Sequence, residues 1–319
     1  PSHPSLLIYR LRLGDHSQTG VVGLMPVEAL SDGRIRKHEG VRPSRTELLA
    51  RHLEVVGAAS SPVALSHRPN VAMHQLISEI ESTPPSLDVD AGGVHQTVWR
   101  TTLAQGDQLR ELFAGEILYI TDGHHRSAAT EVAAARNGTT TPFGSMLAVS
   151  FPAEQLRVLP FHRRIAHSNG LTSQELISAI GKVAEVSELR EGSNKRPVNP
   201  GEVTLYVDHH WHLVSLPDGR TDPVSKLDVT MLQELILRPI LGIVEQNSDP
   251  ALEFVADPVG IDELVRRCDI DGGVAFVVAA TSVEQIMEVA DSHELMPPKS
   301  SYFNPKPRSG VFLRVLADE

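Results

Sequence analysis

The chain has 319 residues, more than one typical domain and fewer than three, so two lobes or one large α/β unit are expected. Apolar residues make up 41% and charged residues 22%, ordinary globular usage that excludes collagen-like, low-complexity and wholly disordered classes. With 29 Lys and Arg against 40 Asp and Glu, the formal net charge of -11 argues against nucleic acid or an anionic membrane as partner, yet leaves room for a small anion in a local basic pocket.

In chain order, Leu6 to Leu13 alternates as a strand and Gly20 to Pro26 reads as its hairpin partner. A polar stretch from Ser31 to Ser44 leads into a helix capped by Ser44 or Thr46 and stopping near Gly57. A short strand is expected at Pro62 to Ser66, a helix at Val71 to Ile80, a strand from His95 to Thr102 after the Pro84-Pro85 break, and a helix from Gly106 to Ala114. Ile117 to Asp122 is a buried-strand pattern running directly into Gly123-His124-His125-Arg126 and an Ala-rich helix that ends at Asn137-Gly138.

Further strands are expected over Phe143 to Phe151 and Arg157 to Ile165, followed by an amphipathic helix from Thr172 to Leu189. A soft boundary falls near Gly170 or in the Gly/Pro/Asn-rich stretch Glu191 to Gly201, giving domains of 1–170 and 171–319. Beyond it come a hairpin (Val203 to Asp208 with Trp211 to Leu216) and a helix from Leu227 to about Ile243. A strand (Ala251 to Ala256), a helix (Gly260 to Cys268), a buried strand (Gly272 to Thr281), a helix (Ser282 to Leu295) and a last strand (Ser309 to Leu316) complete the chain. The alternation implies an α/β or α+β arrangement in each half, with loops carrying the chemistry.

Cys268 is the sole cysteine, so no internal disulfide forms, and its surroundings in a helix lack a histidine base. The apolar runs are strand-length, far below the roughly 20 residues that span a bilayer. A reducing compartment, the cytoplasm, is therefore expected.

The leading chemical constellation is Asp122-Gly123-His124-His125-Arg126 between a buried strand and a helix. Glycine permits close approach of a ligand to the backbone, the helix start offers unpaired N–H groups, and the imidazoles and guanidinium add donors. Arg126 can grip phosphate oxygens, and Asp122 can hold Mg²⁺ or orient a reacting hydroxyl. The plainer alternative is a helix cap supplied by Asp122, but a cap needs one oxygen and gains nothing from two imidazoles and an arginine.

The second constellation is Lys37-His38-Glu39-Gly40 between Arg36 and Arg42: either a solvated salt-bridging loop, or a general base in which Glu39 takes a proton from an acceptor hydroxyl. Pro160 to Arg164 and Pro297 to Lys306 are candidates for ligand contact or plain loops. Asp208 to His212 has the residues of a metal cluster but falls at an expected hairpin turn. The chain contains neither G-x-x-x-x-G-K-[ST] nor G-x-G-x-x-G, so any phosphate cradle here is of another kind.

The strand, Asp-Gly-His-His-Arg turn and helix resemble the signature of the ParB/sulfiredoxin superfamily and, within it, the free serine kinases. The closest resemblance is to a large bacterial family long catalogued as a domain of unknown function. That family has a His-Glu loop, the Asp-Gly-His-His-Arg turn, a Leu-Pro-x-His-Arg strand and a C-terminal Pro-Pro-Lys-Ser-Thr-Tyr-Phe-x-Pro-Lys loop. This chain has His38-Glu39, Thr121 to Arg126, Leu159 to Arg163 and Pro297 to Lys306 in the same order.

The resemblance implies a ParB/sulfiredoxin-like phosphate-binding domain with a second α/β lobe. It also implies transfer of a phosphoryl group from ATP, ADP or pyrophosphate, with Mg²⁺, to the hydroxyl of free L-serine. By that likeness Glu39 is the general base and Asp122 the acidic residue for Mg²⁺ or the hydroxyl. Gly123, His124, His125 and Arg126 form the phosphate-binding turn, and His38, His162, Arg163, Lys299, Ser300, Ser301, Tyr302 and Lys306 contact substrate. Departures occur at Val41, Ser301 and Asn304, where the family often has Thr, Thr and Tyr. The family's N-terminal Pro-Pro-Tyr-Asp motif has no counterpart in these residues. The alternative is a catalytically silent nucleotide- or amino-acid-binding regulatory protein of the same superfamily. A ParB-like DNA binder lacks its basic helix-turn-helix here, and a sulfiredoxin lacks its cysteine, since His124 stands in that place.

Overall fold

A computed structural model describes residues 6–316, which divide into two compact units. The first runs through Arg157 and takes in the segment from Phe303 onward; the second is Val158–Tyr302.

The first unit is built on a mixed eight-stranded sheet. Its strands are β1 (Leu7–Leu13), β2 (His16–Pro26), β3 (Ile35–Arg36), β4 (Val63–His67), β5 (Leu87–Ala91), β6 (Val94–Arg100), β7 (Leu118–Asp122) and β8 (Ser145–Pro152), in the order β3-β7-β4-β8-β2-β1-β6-β5. Alternation along β1 sends Ile8 to one face, against Met73, Leu76, Ile77 and Trp99, and Tyr9 and Leu11 to the other, against Val149, Phe151 and Phe312. The longer helices are α1 (Pro43–Val56), α2 (Val71–Glu81), α3 (Leu103–Phe113) and α4 (His124–Asn137). Helix α1 begins at Pro43, with Arg42 in the capping position and no side-chain cap, so the expected Ser44 or Thr46 cap is not used. Proline fits the first turn, where its missing N–H costs no intrahelical bond. Gly57 ends α1 in the left-handed conformation.

The register that matters for function is β3 on β7. They pair in parallel, Ile35 with Leu118 and Arg36 with Tyr119. Parallel strands end at the same edge, so the loop after β3 (residues 37–42) and the turn after β7 (122–125) emerge side by side. The helices that follow stay together, with Arg136 of α4 2.6 Å from Glu47 of α1 and the buried Ala129, Ala133 and Ala134 on one side of α4.

The second unit has a six-stranded sheet. Its strands are β9 (Phe161–Ile165), β10 (Glu185–Glu188), β11 (Glu202–Val207), β12 (His210–Ser215), β13 (Leu252–Ala256) and β14 (Val274–Val278), in the order β10-β12-β11-β14-β9-β13. Helix α5 (Ser173–Ile180) precedes β10, and α6 (Ile261–Asp271) buries Leu264 and Cys268 against Tyr206, Ala275 and Val277.

Several expectations are corrected. The chain leaves the first unit at Arg157 rather than near Gly170, and the C-terminal segment belongs with the first unit, because Phe303, Phe312 and Leu316 are buried there and Phe312 meets the Tyr9 ring edge-on at 4.9 Å. The Glu191 to Gly201 stretch is a loop between β10 and β11 inside the second unit, held by Thr204 Oγ1 donating to the Lys195 carbonyl at 2.6 Å. The helix expected to reach Leu189 stops at Ile180. Glu185–Glu188 is a strand, with Val186 opposite Val214. Strand β5, polar and exposed, had no expectation attached to it, and the last strand shrinks to Arg314–Val315. Among the described residues no helix is long and apolar enough to cross a membrane.

Candidate active site

At the end of β7, Gly123 takes φ +100°, a conformation L side chains rarely adopt, and a Cβ there would lie 2.7 Å from Arg126 Nη2. This turn lets α4 start directly at His124. The helix has no side-chain cap, and the first intrahelical bond is Ser127 N–H to the Gly123 carbonyl at 2.9 Å. The N–H groups of His124, His125 and Arg126 therefore lie ahead of the hydrogen-bonded ladder, an arrangement suited to an anion. Asp122 does not cap. Its Oδ2 accepts from Arg126 Nη2 at 2.7 Å and its Oδ1 from Lys306 Nζ at 2.5 Å. Burial pushes the Asp122 carboxyl up, but Lys306 and Arg126 together hold it below its ordinary value. Arg126 is also tied to the Pro62 carbonyl at 3.2 Å.

The neighbouring loop delivers His38 and Glu39. His38 is 1% exposed and donates a ring N–H to the Ile120 carbonyl, and burial lowers its pKa to about 4. Its ring stands edge-on to that of His124, with centroids 4.6 Å apart. The Glu39 side chain is 40% exposed, and its Oε2 is 3.7 Å from His124 Nδ1. His124 is buried and held well below its ordinary pKa, first by burial and then by His38, His125, Lys37 and Arg126. His125 Nε2 accepts the Arg42 backbone N–H at 3.0 Å, so that nitrogen is no donor to an anion and instead fastens the loop to α4.

The first unit thus gathers Glu39, Asp122, Gly123, His124, His125, Arg126, His38 and Lys306. The remaining expected contacts lie in the second unit and mostly face inward. His162 is 1% exposed, its Nε2 is 3.1 Å from Asp257 Oδ1, and its Nδ1 accepts the Val278 N–H. Arg163 is fully buried, bonded to the Phe161 and Pro298 carbonyls and stacked on Phe254; burial lowers its pKa to about 9. Ser300 is buried and donates to the Pro297 carbonyl at 2.6 Å. Lys299 and Tyr302 both lie on Phe161, the ammonium 5.2 Å and the phenol ring 5.5 Å from its centroid. Arg163 and Ser300 hold the Pro297–Tyr302 loop in shape, and His162 is spent on Asp257 and the Val278 N–H, rather than presenting donors to solvent.

The Asp208 to His212 cluster resolves as the expected turn. Asp208 and His209 have positive φ, and His209 and His210 pair separately with Asp269 and Glu188. The Cys268 thiol is pushed up by burial to about 11, the state of an inert core cysteine.

The family model for "Protein of unknown function (DUF1015)" matches residues 1–230. The chain belongs to the DUF1015 family. The matched stretch contains three of the four ordered motifs, His38-Glu39, Thr121 to Arg126 and Leu159 to Arg163, and the fourth, Pro297 to Lys306, lies beyond it. Among solved structures, this DUF1015 chain is similar to a free serine kinase in complex with AMP (13% identity, TM-score 0.46, covering 90% of each chain). It is also similar to a conserved hypothetical protein from Pyrococcus furiosus (14%, TM-score 0.43, 90% of this chain and 93% of that one). A third is SbnI with a C-terminal truncation from Staphylococcus aureus (12%, TM-score 0.45, 91% and 85%). No curated protein matches the DUF1015 chain.

Proposed function

We propose that the protein is a phosphotransferase that moves a phosphoryl group from ATP, ADP or pyrophosphate to the hydroxyl of free L-serine or a related hydroxy amino acid. The observation that carries this reading is the placement of a partly exposed carboxylate, Glu39, beside the uncapped start of α4. An anion cradle with an adjacent base is what phosphoryl transfer needs, since little other covalent chemistry falls to the protein.

In this reading the N–H groups of His124, His125 and Arg126 take the transferred phosphoryl oxygens, and Lys306 and Arg126 neutralise charge beside them. Glu39 accepts the hydroxyl proton as the new O–P bond forms and the donor's P–O bond breaks. Asp122 acts as a positioning residue, fixing both cations. Each Asp122 oxygen accepts from a cationic side chain, so a Mg²⁺ held there would compete with Lys306 and Arg126 for the carboxylate.

The pairing of Asp122 with two cations favours a second reading, a regulatory protein that binds a nucleotide or an amino acid without turnover. Phosphorus NMR of the protein with serine and each donor in turn separates the two. The first reading expects O-phosphoserine with at least one donor. Absence of product with every donor, and with threonine and homoserine as acceptors, overturns it, and calorimetric binding without turnover then supports the second.

A further inference from the structure

The histidine pair beside Glu39 has a geometry that neither a cap nor a phosphate cradle explains. Each of His38, Glu39 and His124 offers one ligand atom, and these three atoms lie within 4.8 Å of one another; among the described residues this is the one such group of His, Cys, Asp and Glu. His124 is 5% exposed. Its Nδ1 faces Glu39 Oε2 at 3.7 Å, beyond hydrogen-bond range. That separation suits two ligands of one ion instead: bonds of about 2.1 Å at a tetrahedral centre put ligand atoms about 3.4 Å apart. His38 donates one ring N–H to the Ile120 carbonyl, the outer contact that orients a metal-ligating imidazole.

We propose that His38, Glu39 and His124 bind one divalent transition-metal ion of the zinc or cobalt type, with further coordination positions left for water or an oxyanion. Two imidazoles and one carboxylate suit these borderline ions and not Mg²⁺, which demands oxygen ligands in near-octahedral array. The site shares Glu39 and His124 with the phosphotransfer reading, but metal binding is measured without substrate, so either can fail while the other holds. Occupation engages the carboxylate assigned there as base, so an excess of such an ion inhibits turnover.

The test is titration of tag-free, chelator-treated protein with Co²⁺, followed by its visible absorption, and with Zn²⁺ by calorimetry, in the presence of excess Mg²⁺. The expected result is one ion per chain, with affinity falling at least tenfold in Glu39→Gln and in His124→Gln and unchanged in His210→Ala. Glu39 is exposed enough that its variant folds, so it decides the matter if the buried His124 substitution does not. Absence of binding, equal competition by Mg²⁺, affinity unchanged in Glu39→Gln, or loss of binding in His210→Ala each overturns the assignment.

Discussion

Lys306 Nζ lies 2.5 Å from Asp122 Oδ1, joining residues 184 positions apart and bringing the C-terminal segment onto the turn that starts α4. The contact is part of what holds the Asp122 carboxyl below its ordinary value. A carboxyl with a depressed folded pKa contributes stability above its unfolded value and loses it as pH falls through the folded one. Lys306→Met raises the folded value toward the unfolded one. The variant is expected to lose about 1 kcal/mol or less at pH 7, because Lys306 is partly exposed, and to show less additional loss on acidification than the parent. Denaturant midpoints between pH 7 and pH 3 check this, and an unchanged acid profile counts against the pairing.

Gly123→Ala meets both a positive φ and a Cβ contact with Arg126. The expected cost is about 1–3 kcal/mol of stability, with weakened pyrophosphate binding as Arg126 is displaced. Urea denaturation and calorimetry read the two effects separately.

Glu39→Gln removes the assigned base while keeping shape and polarity. Product formation is expected to fall by about 100-fold or more. Stability should stay within about 0.5 kcal/mol, as is usual for a partly exposed site. A rate within a few-fold of the parent rejects Glu39 as the base.

His38, His67 and His162 are each lowered to about 4, chiefly by burial. An unfolded histidine titrates near 6.5. Between those values the unfolded chain binds protons that the folded chain does not. Stability is therefore full above pH 6.5 and declines as pH falls toward 4. Denaturant midpoints at pH 7.5, 5.5 and 4.5 should decrease in that order, and a flat profile would contradict the buried neutral histidines.

The site's first half could be read from sequence because it is local. A buried strand, a glycine and an uncapped polar helix start occur in one run from Leu118 to Arg126, and the hairpins at Leu7–Pro26 and Glu202–Ser215 carry simple alternation. What stayed hidden depends on pairing across the chain. The parallel register of Ile35 on Leu118 makes Glu39 and His124 neighbours, and no local pattern encodes it. Likewise Arg163 and His162 have the residue types of a substrate site, but strand β9 turns them into the second unit's interior. The exchange of Asp122 from expected metal ligand to partner of two cations required Lys306 to return from the far end of the sequence.

The most direct measurement is an electron-density map of the protein crystallised with serine and a non-hydrolysable pyrophosphate analogue. The terminal phosphate is expected on the N–H groups of His124 to Arg126, with the serine hydroxyl between it and Glu39. A phosphate bound elsewhere, or a serine hydroxyl out of reach of Glu39, would contradict it.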